Sequence, residues 1–250
     1  MKKRIILFSL GLILLLSALP LSTKMILEKI HTQKMYSRYD MEILSDTYPP
    51  PAQKFTVLNH SIEIDETIIE EGNYTDLWDN DIAIANLTIK INGERLAYLE
   101  NYPIRSEDEG IQKYHGNISF IVLLDKQEEE RTLFVVLRNT KDTLTNEKGV
   151  HIISSPPPLV DIKYTMHVID EEGQIESDTF SQNNRNALQT FVLNSSGSSP
   201  TAVGYYTDAW HAYPSIFFPI LFPFSTLFFG VILMIVYVPL RRKTKVLHRN

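Results

Sequence analysis

Two uncharged, strongly apolar runs bracket this chain, over residues 5–23 and 212–240, and between them apolar positions recur mostly at every second residue. As a helix rising about 1.5 Å per residue, the stretch 216–238 reaches roughly 34 Å, enough for a hydrocarbon core of about 30 Å. Its Phe, Leu, Ile and Val lie on every side, without the polar stripe of a helix packed on a soluble core. Residues 214–240 are therefore expected to form a transmembrane helix. Pro214, Pro219 and Pro223 fall in its first part and predict a kinked or loosened outer turn ahead of a straight span over 225–238.

The first run, 5–23, follows Lys2, Lys3 and Arg4 and has the build of a signal anchor or a secretory signal peptide. Cleavage would have to use Ala18-Leu19-Pro20-Leu21-Ser22, where Pro20 is badly placed, so a retained anchor is the expectation. Residues 24–51 then place Ile26, Leu27, Ile30, Met35 and Tyr39 at helical spacing, which predicts a juxtamembrane helix before the stiff spacer Pro49-Pro50-Pro51.

Over residues 52–194 the period is two. Residues 55–65 read as one half-buried strand, and 82–100 as two strands joined at Asn92-Gly93, the pair that a type I′ hairpin turn favours. Further strands are expected at 117–125 and 131–139, joined by the charged tip 126–130, and at 150–154, 159–170 and 189–194. A second proline triplet, 156–158, marks a sheet edge or crossing. This pattern predicts an all-β extracytoplasmic domain, an antiparallel sandwich that is Ig-like in architecture only, since the Cys and Trp hallmarks are missing. Residues 195–213 read as a flexible tether followed by an aromatic membrane interface.

Charge sharpens the topology. All 30 Asp and Glu lie between the two runs, against 16 of the 24 Lys and Arg, which gives the middle a formal charge of −14 where the whole chain carries −6. Basic residues flank the runs on the other side: residues 1–4 at one end and 241–250, with Arg241, Arg242 and Lys243, at the other. Both basic ends are expected in the cytoplasm and the bulk of the chain outside the cell membrane, with Trp210 and Tyr213 at the outer headgroup level. So acidic a surface excludes nucleic acid as a partner; the expected partners are the lipid bilayer and a membrane protein met through the C-terminal helix. Cysteine is absent, which removes disulfides, thiolate chemistry and Cys-ligated metals and favours a bacterial-type envelope. Five N-x-S/T sequons, at Asn59, Asn73, Asn86, Asn117 and Asn194, keep a glycosylated surface protein as an alternative.

Catalytic motifs are not found. There is no G-x-S-x-G, S-x-x-K, H-E-x-x-H or Gly-rich phosphate loop, and no cofactor is expected. Asp76, Asp79 and Asp81, with Asn80, offer hard oxygens in one loop, a weak calcium pattern without the central Gly and closing Glu of an EF-hand, and Asp and Asn make turns equally well. His60, His151 and His167 are the histidines that could meet on one sheet face as a zinc site, though partly buried imidazoles are the plainer reading. The expected role is a membrane-anchored binding or scaffold protein, an accessory or sensory subunit of an envelope complex. A tethered hydrolase of an envelope polymer, using two of the many carboxylates, is the alternative.

Overall fold

The computed structural model describes residues 2–47, 53–76, 80–114, 116–141, 161–199, 202–212, 215 and 217–247. They divide into two units, Met1–Lys34 with Thr201–Asn250, and Met35–Pro200. The chain is mostly β-sheet, with an apolar helix at each end.

The opening helix α1, Lys2–Arg38, runs unbroken through Pro20 and through the residues expected to form a separate juxtamembrane helix. A short strand β1, Tyr39–Ile43, follows at once, then a single helical turn α2, Leu44–Thr47. β1 pairs with a strand far along the chain, so the sheet begins before the first proline triplet. Its alternation, Tyr39, Met41 and Ile43 against Asp40 and Glu42, continues the preceding helical spacing at Tyr39, and so the change of period is hidden.

Four strands then form one antiparallel meander: β2 (Lys54–Val57), β3 (His60–Thr75), β4 (Asp81–Ile91) and β5 (Glu94–Arg105). The predicted hairpin is present, with Asn92 and Gly93 at φ 54° and 85° between β4 and β5. The stretch 55–65, expected as one strand, is instead a second hairpin. Val57 pairs with His60, and Leu58 and Asn59 turn the chain at φ 48° and 66°. Asn tolerates that left-handed region, but Leu does not advertise it, so uninterrupted alternation masked the turn.

After a 3₁₀ turn at Gly110–Tyr114, the chain builds β6 (Ile118–Asp125), β7 (Glu130–Arg138), β8 (Lys163–Ile169) and β9 (Ile175–Ser181), which with β1 make a five-stranded antiparallel sheet in the order β1-β6-β7-β8-β9. The charged tip 126–130 turns β6 into β7 as expected, with Glu129 at φ 59°. The strand expected at 150–154 and the second proline triplet lie outside the described residues.

One apolar cluster draws on both sheets: Ile62, Ile64, Leu87 and Ile89 from the four-stranded sheet, and Phe120, Val122, Leu133 and Val135 from the five-stranded one. Tyr102 of β5 joins them with a polar bond. Its buried hydroxyl lies 2.8 Å from the Arg138 carbonyl and 3.0 Å from that of Asn117, so the single O–H proton serves two carbonyls of the other sheet. Removing it by Tyr102→Phe leaves buried acceptors short of a donor and is expected to cost about 1–2 kcal/mol, read as a lower urea midpoint of the full chain in detergent with unchanged far-ultraviolet dichroism.

β6 and β7 are buried on both faces, which explains why ISFIVLLD and ERTLFVVLR are nearly continuous apolar runs rather than alternating ones. A helix, α3 (Ala187–Ser196), lies where a strand was expected at 189–194. Thr, Phe and Val there favour strands, but Asn186 and Gln189 form a reciprocal capping box at one end and Gly197, at φ 69°, closes the other. Phe191 of α3 packs on Tyr36 and Tyr39 at centroid distances of 5.2 and 5.8 Å. The serines that follow, expected in a tether, are partly packed inside: Ser196 and Ser198 are buried and bonded to each other, and Ser198 donates to Ser119 of β6 at 2.7 Å.

In the other unit, the returning segment passes through α4 (Ala209–Ala212) and a single turn α5 (Phe217–Pro219), then a wide-turned piece, Ile220–Ser225, into α6 (Thr226–Leu247). The helix breaks at Phe222, whose backbone is extended at φ −140°, ψ 127°, between Pro219 and Pro223. The predicted kink and the straight span beyond it are both present. The hydroxyls of Ser225 and Thr226 reach back to the carbonyls of Ile220 and Leu221 at 2.5 and 3.4 Å and occupy acceptors that the break sets free. Both Ile5–Arg38 and Phe217–Val236 contain stretches long and apolar enough to cross a membrane, and Ile5, Ile6, Ile13, Leu16, Phe217, Leu221, Phe228 and Ile235 all stand exposed.

Candidate functional site

The described residues gather their least ordinary chemistry where the two apolar helices meet. On α1, Gly11, Ala18, Ser22, Met25 and Glu28 are buried and recur at intervals of three, four and seven, so they share one face. Three of them, Gly11, Ala18 and Ser22, are small residues in a run dominated by Leu and Ile. The size matters at Gly11, where an added Cβ would sit 3.1 Å from Leu233 Cβ and 3.3 Å from the Gly230 carbonyl oxygen. At Gly230 it would meet the Leu15 backbone nitrogen at 3.1 Å and the Gly11 carbonyl at 3.2 Å. Backbone approaches backbone because neither position carries a side chain, the packing that apolar helices use when there is no water to drive them together.

Further along α1 the contacts become polar. Trp210 donates its indole N–H to the Met25 carbonyl at 3.3 Å. One turn on, the carboxylate of Glu28 accepts three backbone N–H groups: Tyr205 at 2.5 Å on one oxygen, and Tyr206 and Thr207 at 2.6 and 3.2 Å on the other. Successive N–H groups aimed at one point form an anion-binding nest, and here the anion is supplied by the chain itself. The nest is held in shape by Gly204, whose N–H donates to Asp208 Oδ1 at 2.7 Å, and whose hypothetical Cβ would lie 1.9 Å from the Thr207 carbonyl. His31 adds a bond between Nδ1 and the Tyr206 hydroxyl at 2.9 Å and packs against the Tyr205 ring at 4.6 Å. Glu28 is only 5% exposed, so these charge-assisted bonds form away from water, where they are strongest.

The contacts also fix a register. Gly11 faces 230–234 and Met25 faces Trp210, so the two segments run antiparallel. Between those contacts α1 uses about 14 residues and the returning segment about 20, so the latter cannot run straight, in keeping with its break at Phe222. Glu28 and its nest escaped the sequence reading. The signal was there: a lone acid five residues beyond the end of the apolar run, on the face already marked by Gly11, Ala18 and Ser22.

Of the residues singled out from sequence, Trp210 belongs to this junction. Asp76 accepts the backbone and side-chain amides of Asn80 at 3.0 and 2.8 Å, a turn closure that engages both carboxylate oxygens, while Asp81 opens β4 opposite Thr75. Asp79 lies outside the described residues, and among the described residues no three His, Asp or Glu stand together as a metal cluster. Of the histidines, His60 sits at the start of β3 with Nε2 donating to the Asp170 carbonyl at 2.8 Å and Nδ1 accepting from Asn92 at 3.1 Å, so neither nitrogen keeps a lone pair for a metal. His167 is on β8, bonded through Nδ1 to Ser177 of β9 at 2.7 Å; His151 lies outside the described residues. Trp210 is at the helix junction; Tyr213 lies outside the described residues, and Arg241, Arg242 and Lys243 belong to the last turns of α6.

Two further polar clusters lie in the sheets. Glu66, on the inner face of β3, is met by Lys113 at 3.1 Å, the Tyr114 hydroxyl at 3.0 Å and Gln53 at 3.5 Å. Burial first, and the Glu66 charge second, push the Tyr114 hydroxyl well above its ordinary range. The Ser177–His167 pair has no carboxylate behind it: the far imidazole nitrogen is buried without a hydrogen-bond partner, and burial holds the imidazole below its ordinary 6.5. The unfolded chain therefore takes up this proton first. The contribution is complete above about pH 6.5 and is lost as the pH falls from there towards the folded-state value. The expected result is a urea midpoint that declines between about pH 7 and pH 5.5 in the native protein and is flatter in His167→Gln. Carboxylates such as Asp125, held below its usual 3.8 by hydrogen bonding to Arg38, act only at lower pH.

Comparison of the chain with known protein families, with curated proteins and with solved structures finds no match.

Proposed function

We propose that the protein is a two-span membrane scaffold that presents an acidic β-sandwich, made of the two meander sheets, outside the cell membrane for binding by another envelope component. The observation that carries this reading is the agreement between packing register and charge boundaries. Charge ends on α1 between Arg4 and Ile5 and resumes at Lys24; on the returning segment it ends after Asp208 and resumes at Arg241. The Gly11 and Gly230 contacts set Arg4 level with Arg241, and the Trp210 and Met25 contact sets Lys24 level with the residues just after Asp208. Two uncharged zones defined by sequence thus coincide along their length, as a single bilayer requires.

The same contacts support a retained anchor. Ala18 and Ser22, the small residues of the only candidate cleavage region, are buried, and α1 continues through them without a break. Since the chain has no cysteine, single Cys probes are clean reporters. Ser177→Cys in exposed β9 is expected to react with a membrane-impermeant maleimide on intact cells, whereas Thr244→Cys reacts only after lysis. Reaction of both, or of Thr244→Cys alone, before lysis removes the proposed topology. Purification of the full chain from detergent-solubilised native membranes then tests the scaffold role, which requires a stoichiometric co-purifying envelope component.

A further inference from the structure

The helix register has a consequence at the other face of the membrane. Residues Lys2, Lys3 and Arg4 open α1, and Arg241, Arg242 and Lys243 lie in the last turns of α6. Antiparallel packing that sets Gly11 against Gly230 and Leu233 brings these two triplets, more than 230 residues apart in sequence, to one level at the same end of the hairpin. Six basic positions thereby fall at the level where both apolar runs end. No Asp or Glu occurs in residues 1–23 or 209–250, so the chain supplies no carboxylate at that depth to neutralise them. Uncompensated like charges at the edge of a low-dielectric slab repel one another, and they draw anions from whatever lies at the same level. In a bilayer, that is the plane of lipid phosphates.

We infer that the two basic triplets form one joint binding site for anionic phospholipid headgroups of the cytoplasmic leaflet, assembled by the helix pairing and absent from either helix alone. The inference rests on the two-span reading above. It goes beyond the orienting role that any basic flank plays during insertion, because it requires both triplets at once and a persistent preference for anionic over zwitterionic lipid in the finished protein.

The test uses the full chain reconstituted into phosphatidylcholine vesicles containing a minority of phosphatidylglycerol, with spin-labelled versions of each lipid reporting which is held at the protein surface. The expected result is an enrichment of phosphatidylglycerol of about threefold or more, falling towards unity as salt rises from about 50 to about 500 mM. Because the site is joint, Lys2→Gln/Lys3→Gln/Arg4→Gln alone, and Arg241→Gln/Arg242→Gln/Lys243→Gln alone, should each remove most of that enrichment. Equal retention of both lipids by the native chain overturns the proposal, and so does a loss of only half the enrichment in each triple variant, which means two independent flanks. Displacement of phosphatidylglycerol by inorganic phosphate, but not by chloride at equal ionic strength, would assign the site to free phosphate and also overturn it. Recovery of the protein in the vesicle fraction is scored separately. Failure to incorporate counts against the two-span reading, and incorporation without lipid preference counts against this inference alone. The salt series on the native chain needs no substitution and stands even if a triple variant fails to fold.

Discussion

Glu28→Ala is expected to lower the melting temperature of the detergent-solubilised full chain more than any other single polar substitution, and to part the two apolar helices. Alanine leaves the N–H groups of Tyr205, Tyr206 and Thr207 facing a cavity that water enters poorly. At about 1–3 kcal/mol for each unpaired buried donor, the cost is on the order of 3–6 kcal/mol, larger than any one surface ion pair supplies. Glu28→Gln separates charge from shape: its carbonyl can keep one or two of the three bonds, but its NH₂ turns a donor towards donors. It should fall between the native protein and Glu28→Ala. Gly204→Ala attacks the same nest from the other side, since no Cβ fits beside the Thr207 carbonyl. If Glu28→Ala melts within a degree or two of the native chain, the carboxylate is a bystander to hairpin closure.

Gly230→Leu is the second large effect. Its Cβ alone would press on the Leu15 nitrogen and the Gly11 carbonyl, backbone atoms that cannot swing aside, and the rest of the leucine has nowhere to go but between the helices. The helices must separate by an ångström or more, which forfeits most of the dispersion contact that holds apolar helices together in lipid. The absence of native cysteine makes this measurable. Leu15→Cys paired with Leu233→Cys places thiols on the two contact faces about one turn apart, and their oxidative cross-linking is expected to drop about tenfold when Gly230→Leu is added, with Gly230→Ala only mildly affected. Undiminished cross-linking in the leucine variant would mean that the glycine contact does not set the spacing.

Where local chemistry is unambiguous, the fold was readable from residues alone. Asn92-Gly93 has few conformational choices, and the charged tip at 126–130 cannot be buried, so both hairpins followed from composition and alternation. The misread elements failed because two signals competed. In α3, the β-leaning Thr190, Phe191 and Val192 outweighed a capping box whose two partners, Asn186 and Gln189, are each unremarkable until seen together. In the β2–β3 turn, Leu58 adopts a backbone that its type disfavours, because packing against the core compensates, and no propensity announces that.

The candidate site was harder to read, for a different reason. Acids drew attention where they were dense, at residues 76–81 and in the charged turns, yet the acid that organises the helical unit stands alone. Asp76 is spent on Asn80, whereas Glu28 gains its role from three backbone groups, and backbone N–H groups have no letter in a sequence. Nor could the shared level of residues 2–4 and 241–243 be inferred without the glycine contact that sets the register.

The double burial of β6 and β7 bears on how the protein is made. If the chain is exported as the proposed topology requires, ISFIVLLD and ERTLFVVLR emerge as two apolar stretches that together approach the length of a membrane span, before any sheet exists to receive them. The insertion machinery would be invited to release them sideways into lipid, and neighbouring chains would be invited to aggregate. Asp125, Lys126, Glu128, Glu129, Glu130 and Arg131 act as gatekeepers at the centre of that stretch, since the burial of so many charges in hydrocarbon is prohibitive. Neutralising the tip should leave the finished sheet nearly intact while diverting nascent chains to misinserted or aggregated forms, a defect of biogenesis rather than of stability.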